Sequence, residues 1–238
     1  MFKPDFSKIS PQMFLAALGQ ALFTLSIGMG ALLTYGSYIK EDKSIAKSAY
    51  TIIFSDTLFA IMAGIMIFPA IFSFGLEPNS GAGLVFVTLP HIFSQIPHGN
   101  IVSIAFFVLL AAAAITSGIS ILEASAAAFI ERLHFSRMKS TVLLFCIISL
   151  MAIPASLSFG ILSNFTIIGK GVFDFLDFAT SNLLMPLNTL FLCILAGWFI
   201  KINGKMFINN AIVAKIFDFG LKVFIPIILI CLLYIGLR

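Results

Sequence analysis

Residues 23–30, Phe-Thr-Leu-Ser-Ile-Gly-Met-Gly, carry the most informative combination of side chains in the sequence. Two hydroxyls and two glycines interrupt an apolar segment that is long enough to cross a bilayer. Glycine costs a helix about 1 kcal/mol relative to alanine, and lipid cannot hydrogen-bond a backbone that leaves the helix. A break at this depth is tolerated only against protein or a water-filled cavity, so it predicts a binding segment. A packing face of small residues is the alternative interpretation.

Carboxylates and clustered hydroxyls in apolar segments are further candidate functional groups. The carboxylates are Asp56, Glu123, Asp174 and Asp177. Thr116 and Ser117 lie three or four residues before Ser120, which places them on its helix face. Hydroxyl, carbonyl and carboxylate oxygens are the ligands that hard cations such as Na⁺ prefer. Interfacial carboxylates, and hydroxyls bonded to their own helix, are the alternatives.

The composition sets the class of protein in which these groups must be positioned. Of 238 residues, 60% are apolar and 10% are charged, whereas a soluble domain has about a quarter charged residues. Apolar runs of about 20 residues, each sufficient to cross a bilayer, recur along the chain. They predict an all-α, polytopic helical membrane protein with six transmembrane spans: about 14–39, 48–75, 100–129, 141–163, 172–200 and 216–237.

The basic residues are distributed unevenly between the connections. Ten of the fourteen lie in or beside alternate connections, namely Lys40, Lys43, Lys47, Arg132, Arg137, Lys139, Lys201, Lys205, Lys215 and Lys222. The positive-inside rule places these connections in the cytoplasm and both termini outside. Residues 1–13 have no apolar h-region and are not a signal peptide. We therefore expect that earlier spans are missing and that residues 1–13 are the remnant of an external loop; a complete six-span protein is the alternative.

The remaining features argue against several other functions. The external loop 76–99 contains an apolar run too short to span, which we expect to form a short helical hairpin. His91, His98 and His134 are scattered, the three cysteines have no paired spacing, and no enzyme motif is present. The net charge of +4 is spread over the loops and does not indicate a nucleic-acid partner. We expect no enzymatic activity and no cofactor.

Several motifs, in order, resemble the neurotransmitter:sodium symporters. Residues 19–38, from Gly-Gln-Ala-Leu-Phe-Thr to Thr-Tyr-Gly-Ser-Tyr, are similar to the broken sixth helix of that family. Residues 56–58 and 63–70 resemble the seventh helix, 83–90 the external segment, and 114–123 the eighth helix. The resemblance covers nearly the whole chain. It implies helices six to eleven: the second inverted repeat of a five-plus-five transporter fold, plus one further helix.

The resemblance also implies roles for individual residues. Substrate contacts would come from Phe23 as an aromatic lid, Thr24, Ser26, Gly28, Met29, Ser117 and Ile121. Sodium would be held by Thr24 and Asp56 at one site, and by the Ala113 carbonyl, Thr116 and Ser117 at another. Ser55 replaces Asp56 if the register shifts by one residue, and a carboxylate at Asp56 favours chloride independence. Asp177 would belong to the extracellular gate and Glu131 to the cytoplasmic gate.

These observations predict the C-terminal portion of a bacterial sodium-coupled amino-acid symporter in the cell (inner) membrane. Its expected partners are Na⁺, an amino acid or related small amine, the lipid bilayer and an upstream-encoded first half. Alternating access would drive transport, and the chain alone would be inactive. A nonfunctional fragment of a truncated or split gene, or a small complete channel or scaffold, are the alternatives.

Overall fold

A computed structural model describes residues 9–40, 44–75, 83–208 and 210–236. Most of the expected loop remnant at residues 1–13, the start of the external loop and Arg238 lie outside these ranges. The contacts divide the chain into two compact units. One contains Thr51–Ile119, and the other contains Asp5–Tyr50 with Ser120–Arg238.

Helices dominate both units. They are α1 (Pro11–Thr24), α2 (Ala31–Tyr38), α3 (Ile45–Ser73), α4 (Leu84–Phe93), α5 (Gly99–Leu133), α6 (Arg137–Leu157), α7 (Val172–Phe199) and α8 (Ala211–Gly236). Five of them, α3 and α5 to α8, are long and apolar enough to cross a membrane. The predicted helical membrane bundle is confirmed.

The first predicted span, 14–39, is discontinuous. Ser10 caps α1 by accepting a hydrogen bond from the Met13 N–H at 3.2 Å, and α1 ends at Thr24. Six residues of non-helical backbone follow before α2 begins at Ala31. The sequence therefore folds into two short helices where an uninterrupted apolar run would fold into one.

The connection between α6 and α7 differs in detail from the predicted spans. The helix expected over 141–163 ends at Leu157, and turn hydrogen bonds follow, such as Leu162 N–H to Leu157 O at 2.9 Å. A two-stranded antiparallel hairpin, β1 (Thr166–Ile167) and β2 (Lys170–Gly171), then leads into α7. The apolar residues of 158–163 make this segment look like a continuation of the span, whereas Ser158, Gly160 and Ser163 favour a turn.

Three π-helical turns share one sequence feature. The turns Leu84–Thr88, Ala179–Leu184 and Gly220–Phe224 each end two residues before a proline: Pro90, Pro186 and Pro226. Proline has no N–H, so the carbonyl four residues earlier has no ordinary helical donor. Wider hydrogen-bonded turns accommodate this loss without ending the helix.

The unit Thr51–Ile119 is organised around α4. In place of the expected helical hairpin, the described residues of loop 76–99 form this one helix, because the π-helical turn Leu84–Thr88 continues directly into Leu89–Phe93. Ile71 of α3 packs with Leu89 and Ile92 of α4, and all three are at most 3% exposed. The Phe93 and Phe106 rings contact each other with centroids 5.5 Å apart. These contacts attach α4 to the ends of α3 and α5.

Candidate functional site

The unwound segment 25–30 begins with a defined helix terminus. The Ser26 N–H donates to Phe23 O at 3.0 Å and the Ile27 N–H donates to Leu22 O at 2.9 Å, which is the hydrogen-bond pair of a Schellman motif. Ser26 has a φ of 53°, the left-handed conformation that usually requires glycine. A serine therefore occupies a position where the backbone favours glycine.

Gly28 lies against the middle of α7. Its φ is 87°, and a Cβ atom added there would lie 2.5 Å from Thr189 Oγ1 and 2.7 Å from Met185 O. The Thr189 hydroxyl is held in place by donating to Met185 O at 2.8 Å. Glycine is required here for two independent reasons, its conformation and its close approach to α7.

Asn188 connects the same segment to α7 by a hydrogen bond. Its side-chain Nδ2 donates to Gly28 O, although the two residues are 160 positions apart in sequence. A backbone carbonyl outside a helix needs such a donor where no water or lipid can supply one. The unwound segment is thus held by a side chain of the facing helix.

A cavity of about 730 Å³ opens beside this segment. It brings together four residues that the sequence singled out, namely Phe23, Gly28, Met29 and Ile121. The rest of its lining comes from α7: Thr180, Leu184, Met185, Leu187 and Asn188. A mostly apolar cavity lined by a few polar groups and by non-helical backbone is typical of a small-molecule site.

The two remaining predicted residues of α1 and the unwound segment have local roles. The Thr24 hydroxyl donates to Ala21 O of its own helix at 3.4 Å. The Ser26 carbonyl accepts from the Met29 N–H at 3.4 Å. Their side-chain roles toward substrate or sodium stay predictions.

The other candidate cation ligands belong to the unit Thr51–Ile119. Asp56 is partly buried on α3, whereas its neighbour Ser55 is exposed. On α5, the Thr116 Oγ1 lies 2.9 Å from the Ala113 carbonyl oxygen, to which it donates a hydrogen bond. Two oxygens of the proposed ligand set are thus adjacent. The same hydrogen bond also fits the alternative interpretation, in which the Thr116 hydroxyl only bonds to its own helix. Ser117 is exposed.

The candidate gate residues both lie at exposed positions. Asp177 accepts a hydrogen bond from Ser181 Oγ at 3.3 Å. It lines a polar cleft of about 420 Å³ with Lys170, Asp174 and Asn182 among others. Glu131 is exposed near the C-terminal end of α5.

A polar cluster links α2, α5 and α6. Glu123 Oε2 forms an ion pair with Arg137 Nη2 at 2.8 Å, and Glu123 Oε1 accepts from the Tyr38 hydroxyl at 3.0 Å. One turn away, the Tyr35 hydroxyl donates to Ser120 Oγ at 2.7 Å. Glu123, a candidate from its position alone, is therefore satisfied by partners from two other helices.

Sequence reasoning missed the contribution of α7 to the cavity. Asn188 and Thr189 are polar residues within an apolar span, and Pro186 precedes them. This pattern could have marked them as candidate functional residues. Nothing in the local pattern, however, indicates that their partner is residue 28.

Comparisons with known proteins agree with this arrangement. Residues 1–236 match the sodium:neurotransmitter symporter family. An uncharacterized sodium-dependent transporter of Haemophilus influenzae is 40% identical over 232 residues, covering 96% of this chain and 51% of the relative. A second such transporter, of Bacillus subtilis, is 40% identical over 187 residues, with 79% and 42% covered.

A solved structure shows the same fold. The crystal structure of MhsT in complex with L-phenylalanine is 42% identical, with a TM-score of 0.87 over 99% of this chain and 54% of that chain. The chain spans about half the length of the curated relatives it matches. The relatives are named as transporters, in agreement with the motifs that predicted this family. This multi-pass membrane chain belongs to the sodium:neurotransmitter symporter family.

Proposed function

We propose that this chain forms the second-repeat part of a sodium-coupled symporter that carries an amino acid or a related small amine. The observation that carries this proposal is the unwound segment 25–30, which presents its backbone to a cavity shared with Phe23, Met29 and Ile121. Discontinuous membrane helices supply free backbone groups for substrate at the bilayer midplane. The L-phenylalanine bound to the similar MhsT chain supports an amino acid as the substrate class.

Sodium is the proposed coupling ion, and oxygen atoms of this chain provide part of its coordination. The adjacent oxygens of Ala113 and Thr116, with the Ser117 hydroxyl, form part of one ligand set. On the family resemblance, Thr24 and Asp56 are further proposed sodium ligands. A carboxylate at Asp56 supplies a fixed negative charge beside the cation, which favours transport without chloride.

Transport by alternating access needs two gates and the opposing repeat. Asp177 is the acidic member of the outer gate and Glu131 that of the inner gate. Because the chain spans about half of its relatives, the other part of the fold, on the same or a separate polypeptide, supplies the remaining ligands and the basic gate partners. The cell membrane is the proposed location, with the three basic connections in the cytoplasm and both termini outside.

Uptake of radiolabelled amino acids into proteoliposomes tests the function. The panel includes L-phenylalanine and is measured with an inward Na⁺ gradient, with K⁺ replacing Na⁺ as the control. We expect Na⁺-driven uptake when the chain is reconstituted with the other half of the fold, and none from the chain alone. Uptake by the chain alone contradicts the need for an opposing repeat, and no uptake in either arrangement favours a nonfunctional fragment.

The sodium ligands are tested in the transporting arrangement. Thr116→Val and Ser117→Ala each remove one oxygen, so the Na⁺ concentration for half-maximal uptake rises about tenfold for each 1.4 kcal/mol of binding lost. Asp56→Ala is more harmful because the buried cation loses its counter-charge. Ser125→Ala is the control, since Ser125 also donates to its own helix, at Ile121 O. Unchanged Na⁺ dependence in both Ser117→Ala and Asp56→Ala contradicts the assignment.

A further inference from the structure

The contact between the unwound segment and α7 carries an inference about how the site works. Gly28 meets α7 at two points: its carbonyl accepts from Asn188 Nδ2, and its α-carbon has no room for a side chain beside Thr189 and Met185. One point is a directional hydrogen bond and the other is close packing. Together they fix the distance and the orientation of the segment relative to the helix.

The position of Asn188 makes this bond relevant to a ligand. Asn188 lines the same cavity as Phe23, Met29 and Ile121, so a molecule in that cavity lies beside both the clamped carbonyl and the side chain that clamps it. Asp177 lies on the same helix, roughly three turns before Asn188. Asn188 therefore joins the Gly28 carbonyl to the helix that carries the candidate outer-gate carboxylate.

We propose that Asn188 is a positioning residue of this site, whose amide holds the Gly28 carbonyl and couples the unwound segment to α7. This inference rests on the proposed function for its role in transport. The contact itself belongs to this chain alone. The donor is the essential feature: the carboxylate introduced by Asn188→Asp has nearly the same shape but offers only acceptors, whereas Asn188→Gln retains the N–H groups.

Thiol labelling tests the clamp without requiring transport. Cys146, Cys193 and Cys231 are replaced by alanine, Met29→Cys provides one thiol on the cavity wall, and the full chain in membranes is treated with a maleimide. Loss of one hydrogen bond to a backbone carbonyl shifts the opening equilibrium by up to about tenfold, so Asn188→Asp raises the labelling rate by that order. Asn188→Gln is labelled more slowly than Asn188→Asp, at a rate closer to that of the parent.

A matched control separates positioning from general destabilisation. Asn210 also bonds backbone N–H groups through its side chain, at Ile212 and Val213, but it caps α8 outside the cavity. Asn210→Ala leaves the labelling rate of the thiol introduced by Met29→Cys unchanged. If Asn188→Asp does not reach the membrane, Asn188→Ala replaces it with the same expectation. Equal labelling rates in the parent and in the Asn188 variant that reaches the membrane overturn the proposal.

Uptake provides the second readout where the reconstituted transporter is active. Asn188→Asp raises the substrate KM about tenfold, because the segment must be ordered again on binding, whereas Asn210→Ala leaves KM unchanged. An unchanged KM in Asn188→Asp contradicts the coupling. If the wild type carries no substrate, the proposed function is wrong and labelling alone decides whether Asn188 clamps the segment.

Discussion

Gly28 and Gly30 have the same backbone conformation in very different surroundings. Their φ angles are 87° and 82°, but nothing lies within 4 Å of a Cβ atom added to Gly30, whereas Gly28 is crowded by α7. Two glycines that look equivalent in the sequence therefore have separable roles: both allow the backbone to leave the helix, and Gly28 alone allows the close contact.

The paired substitutions Gly28→Ala and Gly30→Ala separate these roles. Both force alanine into a left-handed conformation, at a cost of about 1–2 kcal/mol. Gly28→Ala adds overpacking against Thr189 and Met185, roughly a further 1–3 kcal/mol. We expect the thermal unfolding midpoint of the detergent-purified chain to fall more for Gly28→Ala. Equal midpoints of the two variants contradict the close contact.

Ser26 combines a backbone role with a predicted substrate contact, and two substitutions distinguish them. Ser26→Gly removes the hydroxyl and relieves the left-handed strain, so it stabilises the chain by about 1 kcal/mol. Ser26→Ala removes the hydroxyl and keeps the strain. If the hydroxyl binds substrate, both variants raise KM equally while only Ser26→Gly raises the thermal midpoint. If KM is unchanged in both variants, the Ser26 hydroxyl does not bind substrate and the residue serves only to end the helix.

At the scale of the element, α7 compensates for a proline of α8 through a direct contact. Pro226 cannot donate to Lys222 O, which lies four residues earlier in the π-helical turn of α8. The Trp198 indole Nε1–H of α7 donates to this carbonyl at 3.2 Å. The Lys222 side chain covers Gly197, with Cγ 3.1 Å from where a Cβ would lie. The carbonyl that Pro226 cannot serve thus accepts an interhelical hydrogen bond.

A double-mutant cycle measures this compensation. Trp198→Phe leaves the Lys222 carbonyl without its indole donor, which costs about 1–3 kcal/mol of unfolding free energy. Pro226→Ala restores an N–H at the ordinary helical position, so Trp198→Phe costs less in that background. The loss of ring area is the same in both backgrounds and cancels. Additive effects on the thermal midpoint contradict the compensation.

The sequence predicted the helices better than the contacts between them, for physical reasons. Apolar runs of membrane length follow from the bilayer thickness, and the break near Gly28 and Gly30 follows from backbone conformation. Both are local properties. The Asn188–Gly28 hydrogen bond depends on how residues 160 positions apart pack, which no local pattern encodes. Roles for Asp56, Asp177 and Glu131 came from the family resemblance and stay predictions.

The π-helical turns illustrate the same limit within single helices. Three of these turns end two residues before a proline. Pro69 and Pro154, however, lie inside α3 and α6 without a π-helical turn. A proline in an apolar span therefore predicts an unpaired carbonyl. Whether a wider turn or a partner from another helix compensates for it depends on the neighbouring helices.

At the scale of the whole chain, the bilayer acts as the solvent for most of its apolar surface. In the most apolar window of each of the five membrane-length helices, at most 28% of the residues are buried within the described structure. Large side chains such as Phe54 and Phe59 are about 70% exposed. Such surfaces are stable only against lipid or further protein. The stability of this chain therefore depends on the membrane and on the rest of the family fold, which cover this apolar surface.

The orientation in the membrane follows from charge, because the hydropathy of the spans is the same in either direction. The positive-inside rule predicts that the connections carrying ten of the fourteen basic residues resist translocation and stay in the cytoplasm. Green fluorescent protein fused after Lys201 should therefore fluoresce, and alkaline phosphatase fused after Lys170 or Arg238 should be active. These fusions are expressed together with the other half of the fold so that insertion is not limited by a missing partner. Swapping the two reporters at each position is the control, and each swapped fusion should be silent. The reverse pattern would overturn the predicted orientation and the assignment of the spans.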